Sequence, residues 1–170
     1  INDPELECQS LANLGSTQVA LGRFAEGEQN LRQALRIAAP TNPGLPRVHC
    51  RLAAACLGQN DSTGALSAVQ QAFELAQTLR DHPALGLAWR VLGQLAAQPQ
   101  GSTALHEAAP HLPAPLRQAH PAACFAESTR IFAGLGMPYE RALTQRELAR
   151  YELARGNHLL GLALWREVRA

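Results

Sequence analysis

Lysine is absent from this chain of 170 residues: all 15 basic side chains are arginine, set against 14 acidic ones for a formal net charge of +1. A balance this close to zero is not the footprint of nucleic-acid binding, which needs a concentrated basic surface. No apolar run is long enough to span a membrane, and no signal peptide is recognisable. Neither GxGxxG nor GxxxxGK[ST] occurs, so no phosphate cradle is encoded, and no GxSxG elbow offers a nucleophile. Aromatic residues make up only 5% of the chain. Cys8, Cys50, Cys56 and Cys124 show no paired framework spacing, which predicts buried, reduced thiols and a cytoplasmic location instead of disulfides. Met137 is the one methionine and the chain begins at Ile1, so a fragment of a longer protein is expected.

What is present is alanine and leucine in quantity. With 46% hydrophobic and 17% charged residues the chain has the material for a core, and wholesale disorder is excluded. Helix formers dominate, and with few aromatics the helices must approach through small side chains. Abundant Ala, Arg, Leu and Gly without Lys point to a GC-rich bacterial genome.

The pattern also returns. Leu14-Gly15, Gly22, Gly27, Leu31 and Ala34 reappear at one constant shift as Leu148-Ala149, Gly156, Gly161, Trp165 and Val168. Two middle segments repeat it less closely. A recurring two-helix unit predicts an all-α, helical-hairpin solenoid of about four helix pairs, one fragment spanning 1–170.

Local signals place the helices. Asp3 caps a first helix with Pro4 in its first turn, and Gly22 ends it. A second helix runs from about Phe24 to Ala39. A third covers about Arg47 to Leu57 with Gly58 as its terminator, and a fourth follows the turn at 59–62 and reaches about Arg80. His82-Pro83 opens a fifth, carrying Trp89, Leu92 and Gly93. Between 98 and 121 stand Pro99, Pro110, Pro113, Pro115 and Pro121, which exclude continuous helix. This Pro-rich insert is expected to interrupt a helix pair and to be mobile or loosely packed, with one short helix from Ser102 to Ala109 capped by Ser102. Helix then resumes to Leu135 and Gly136. Pro138 opens another that closes at Gly156, and a last helix starts at His158.

Trp89-x-x-Leu92-Gly93-x-x-Ala96 resembles the first helix of the tetratricopeptide repeat, with Ala96 where that family usually carries a large aromatic. Leu14-Gly15 followed by Gly27, Leu31 and Ala34 resembles the whole repeat, with Gly27 and Gly161 in place of the usual Ala. Other Ala/Leu-rich helical-hairpin solenoids share the spacing. The resemblance implies a right-handed solenoid and a non-enzymatic protein-interaction or scaffold module. The run from Phe125 to Ala142 is similar to the repeats that follow ATPase modules in bacterial signalling ATPases, cyclases and transcription activators, where they serve as sensor or docking arms. The alternatives are a small-molecule-sensing arm of a transcription activator and an RNA-binding helical repeat, the latter disfavoured by the near-zero charge.

First helices of such repeats line the binding groove. The candidate groove residues are Gln9, Ser16, Arg90, Gln94, Gln98, Arg146 and Arg150. Arg146 and Arg150 lie one helical turn apart, and guanidinium groups suit the carboxylates of an acidic protein or peptide partner, unless acids such as Glu147 or Glu152 already engage them. The chaperone-tail clamp of some members needs Lys and Asn where Ala12 and Ser16 stand. His106, His111, His120 and Cys124 gather around the insert, but intervening prolines deny them a fixed metal-binding geometry. No metal and no cofactor is predicted. The final helix carries leucines around its circumference, so Leu160, Leu164, Trp165 and Val168 are expected either to meet a further repeat or to form a homodimer interface.

Overall fold

The computed structural model describes residues 3–169, and helix alone makes up the regular structure of these residues. The chain divides into two compact units, one reaching to Ala84 and one starting at Leu85. In the first, α1 (Pro4–Ala20) pairs with α2 (Phe24–Ile37) and α3 (Leu45–Gly58) with α4 (Ser62–Thr78), while α3 also packs on α2 and α1. α5 (His82–Ala97) begins in the first unit and runs into the second. The second unit continues with α6 (Pro99–Ala108), a 3-10 turn (Ala109–His111), α7 (Ala114–Arg117), α8 (Pro121–Gly134), α9 (Pro138–Ala154) and α10 (His158–Arg169).

One device makes the sharp turns. Asp3 accepts hydrogen bonds from the backbone of Glu5 and Leu6 to open α1, as its sequence position predicts. Among the described residues only Gly22, Asn60, Arg80, Gly136 and Gly156 have positive φ, and each stands just past a helix. The next residue returns its N–H to a carbonyl five positions back: Arg23 to Gln18, Asp61 to Cys56, Asp81 to Ala76, Met137 to Phe132 and Asn157 to Glu152, each 2.9 Å. This is the six-to-one bond of a Schellman cap, which needs a left-handed residue at that point. α3 ends at Gly58 as expected, but the left-handed residue of its cap is Asn60, and the missing side chain at Gly58 makes room for the Phe24 ring, which an added methyl would strike.

The hairpins close on small residues. A methyl placed on Gly27 would sit 2.7 Å from Val19 Cγ2 and 2.9 Å from the Gly15 carbonyl, so α1 and α2 touch backbone to backbone. Gly161 repeats this against Leu153 and Ala149 in the pair α9 and α10. The core of the first unit is Leu31, Leu52, Cys56, Leu66, Val69 and Phe73, and that of the second Leu92, Leu95, Leu116, Phe125 and Phe132, all buried.

The insert departs from expectation. Gly101, Leu105, Leu112 and Leu116 are buried, and α6 lies so close to the end of α5 that any side chain at Gly101 would collide with the Leu95 carbonyl. Pro99, Pro110 and Pro121 each occupy a first-turn position, where the missing N–H costs nothing. Prolines here start short helices instead of keeping the segment loose. α6 opens at Pro99 with Gln98 as cap, so Ser102 is inside the helix and caps nothing. The insert does fall between two packed helices, since the Phe125 and Phe132 rings of α8 cover Gly93 and Gly86 of α5.

Candidate functional site

The expected groove residues come from three helices, and the structure treats them differently. On α1, Gln9 is exposed, while Ser16 is half-buried and donates its hydroxyl to the Ala12 carbonyl at 2.7 Å. On α5, Gln94 and Gln98 are half-buried. Arg90 is only 7% exposed. Its guanidinium lies 2.7 Å from the Glu140 carboxylate, donates to the Glu140 carbonyl at 3.2 Å and stacks over the Phe132 ring with 5.7 Å to the centroid. Arg90 is thus a buried tie between α5 and the first turn of α9, and its place among solvent-facing groove residues is corrected. The reason is Phe132, whose face accepts the cation once α8 folds back on α5. Nothing in the spacing of Arg90 and Glu140, fifty positions apart, pointed to the pair.

A hydroxyl chain lies beside that tie. Ser128 donates its hydroxyl to the Gly86 carbonyl at 2.8 Å, and the Thr144 hydroxyl, 3.0 Å from Ser128 and 3.1 Å from the Glu140 carbonyl, shares its one proton between those two oxygens. Burial of these groups is satisfied throughout, so they fix helix register and leave nothing for chemistry.

Arg146 and Arg150 come together as their spacing required, through Glu147. One carboxylate oxygen of Glu147 accepts from Arg146 at 2.9 and 3.1 Å and from Arg150 at 3.3 Å. Arg150 remains exposed and Arg146 half-exposed, whereas Glu147 is largely covered. The trio keeps one unit of positive charge with donors free on both arginines. Glu152, the other acid considered for them, is buried and accepts from Asn157 instead.

Sequence reasoning missed a cleft of about 320 Å³ in the second unit, lined by Trp89 of α5, Gln118, His120, Cys124 and Glu127. Burial pushes the Cys124 thiol up to about 12, so it is no nucleophile there, while Arg130 holds the Glu127 carboxyl below its usual value. Among the described residues no three His, Cys, Asp or Glu side chains gather as metal ligands, and no helix is long and apolar enough to cross a membrane. All four cysteines are buried, and none of them forms a disulfide.

On α10, Leu159 is 91% exposed, and Leu160 and Leu162 are about half exposed. Leu164, Trp165 and Val168 are half-buried.

Residues 6–78, the span from α1 to the end of α4, match the family model of the tetratricopeptide repeat. The tetratricopeptide match thus covers the two helix pairs α1 to α4. No curated protein matches it. Among solved structures it is similar to the nearly identical TPR-like repeats of a Podosopora anserina protein described as a kinesin light chain. That likeness has 18% identity and a TM-score of 0.43, over 99% of this chain and 96% of the other. A variant of the same protein carrying one substitution gives 19%, 0.42, 99% and 95%. Tetratricopeptide repeats generally mediate protein–protein interaction or scaffolding and are typically non-enzymatic. The small residues at Gly15, Gly27, Ala53 and Ala65 are the close-contact positions of those repeats.

Proposed function

We propose that this chain is a non-enzymatic protein-binding module, the docking or sensor arm of a larger bacterial signalling or regulatory protein, and that it takes an acidic peptide segment on α9. The observation that carries the reading is the tetratricopeptide-repeat match over residues 6–78, because stacked helical hairpins of this kind build extended binding surfaces. The Arg146, Glu147 and Arg150 cluster supports the acidic partner. Glu147 orients both guanidinium groups and leaves donors that can bind carboxylates in pairs.

The test is fluorescence anisotropy with Asp/Glu-rich labelled peptides, against the chain and its Arg146→Gln/Arg150→Gln variant. Loss of two charged contacts on a rim is expected to weaken binding by at least about tenfold, or about 1.4 kcal/mol, and to remove its salt dependence. Circular dichroism should be unchanged, since exposed substitutions on a helix rarely disturb it. Equal affinity of variant and parent would take α9 out of the site.

The cleft at Trp89, His120 and Glu127 supports a second reading, a small-molecule sensor. Its volume is at the lower end for a metabolite pocket, and an aromatic wall with a carboxylate and an imidazole is a suitable lining. Thermal shifts against a metabolite panel separate the two: stabilisation lost in Trp89→Ala favours the sensor, and no stabilisation by any compound leaves the peptide reading alone.

A further inference from the structure

Within the first unit one hairpin receives the next through a defined junction. The Phe24 ring of α2 lies over Gly58 of α3, and the Gln59 amide donates to the Glu28 carboxylate beside it. The register of the repeat shows which residues hold those positions elsewhere. Ala53, Ala65, Val69 and Ala72 of the second hairpin occupy the places of Gly15, Gly27, Leu31 and Ala34 in the first, and all are buried. Counting from them, Leu21 of α1 stands where α3 has Gln59, each one residue before its left-handed turn residue, Gly22 or Asn60. Leu14 stands where α3 has Leu52. Gly161, Trp165 and Val168 likewise take the places of Gly27, Leu31 and Ala34, which puts Leu162 of α10 where α2 has Glu28.

The hydrogen-bonded pair of the internal junction is therefore matched by a leucine on each outer face. Leu162 is 48% exposed and Leu21 is 69% exposed, and Leu14 is half exposed although Leu52 at its position in α3 is buried. A single exposed leucine is ordinary. Two that replace both members of one polar pair, at the two positions that would meet if the repeat continued, form a complementary set. The other pair of positions is compatible as well: Ala20 replaces Gly58, and the methyl this adds would meet His158 in such a junction, a side chain smaller than the Phe24 ring it replaces.

We propose that copies of this chain associate head to tail, α10 of one copy receiving α1 of the next in the geometry of the α2 to α3 junction, with Leu162 against Leu21. The occupant of the α10 face is a second copy of this chain. Leu159 and Leu160 correspond to Ala25 and Glu26, outside the junction, and stay uncovered. A contact between two different faces leaves a free face at each end of a pair, so association continues past two copies, as a filament or a closed ring, and rises with concentration.

Light scattering and sedimentation on the chain, on Leu162→Glu, on Leu21→Glu and on an equimolar mixture of the two test this. The parent is expected to exceed the mass of a single chain, 18.3 kDa, increasingly with concentration. Each variant alone has one damaged face at every junction and stays a single chain. The mixture forms a two-chain species and stops, because the intact α10 of one variant meets the intact α1 of the other. Circular dichroism checks the fold, and Leu162→Gln with Leu21→Gln replaces the pair if either glutamate lowers helicity. Three results would overturn the proposal: a parent that stays single-chain up to its solubility limit, a Leu21→Glu variant that still associates, as an α10 to α10 pair would, or a mixture that remains single-chain.

Discussion

Cys56 and Cys124 show what burial does to one side chain. Desolvation pushes the Cys124 thiol to about 12, and Cys56 reaches about 11 because the carboxylates of Glu28 and Asp61 add to its burial. Both start from 9.0, the value they regain when the chain unfolds. Between those limits the unfolded chain has lost protons that the folded one retains, so stability holds below pH 9 and falls as the pH rises toward 11 and 12. Denaturant titrations from pH 8 to 12 should show that fall, and Cys124→Ala should make it shallower whatever it does to the absolute value. An identical slope in parent and variant would show that the thiol titrates in the folded state as in the unfolded one. Arg90 illustrates the opposite case, a charge retained in the interior. With Glu140 opposite and Phe132 beneath, its removal would strand a buried carboxylate, a loss of about 3–5 kcal/mol.

At the level of the element, a glycine has different consequences by position. Gly27 stands inside α2 with the α1 backbone against it, whereas nothing lies within 4 Å of a methyl placed on Gly134 at the end of α8. Alanine gains up to about 1 kcal/mol of helix propensity at either place. At Gly27 the clash with Val19 and the Gly15 carbonyl costs about 1–3 kcal/mol and outweighs it. Thermal unfolding should therefore show Gly27→Ala destabilised by about 1–2 kcal/mol and Gly134→Ala unchanged or slightly stabilised. A stabilised Gly27→Ala would mean that the hairpin can open without loss. The helices were legible because most of their signals are local: Asp3 as cap, Pro4 and Pro138 as starts, and Gly22, Gly136 and Gly156 as left-handed turns. Asn60 and Arg80 fill the same turn role without glycine, and Gly58, the last residue of α3, is a glycine for contact with Phe24, so the end of α3 was legible but its left-handed residue was not. The insert was misjudged for a related reason, because whether a proline breaks a helix or begins one depends on neighbours that the local sequence does not name.

Across the whole molecule, the shared face of Arg146 and Arg150 followed from helical periodicity, while the burial of Arg90 depended on Glu140 and Phe132 arriving from distant helices. Residues that meet only through tertiary packing leave no periodic trace. The division into two units has a consequence of its own. Each unit holds its own buried side chains, Leu31, Val69 and Phe73 in one, Phe125, Phe132 and Leu116 in the other. In a repeat protein stability is a sum of local terms and nearest-neighbour contacts, so damage stays near its origin. Gly27→Ala should accelerate amide hydrogen exchange across α1 and α2 by about 5–30-fold, the factor equivalent to 1–2 kcal/mol. Protection in α8 and α9, whose core side chains lie wholly within the other unit, should stay as it is in the parent. Exchange measured by mass spectrometry on peptides from the four helices reads both values at once. Equal acceleration in all four would mean that the chain opens only as a whole, its two cores acting as one cooperative body.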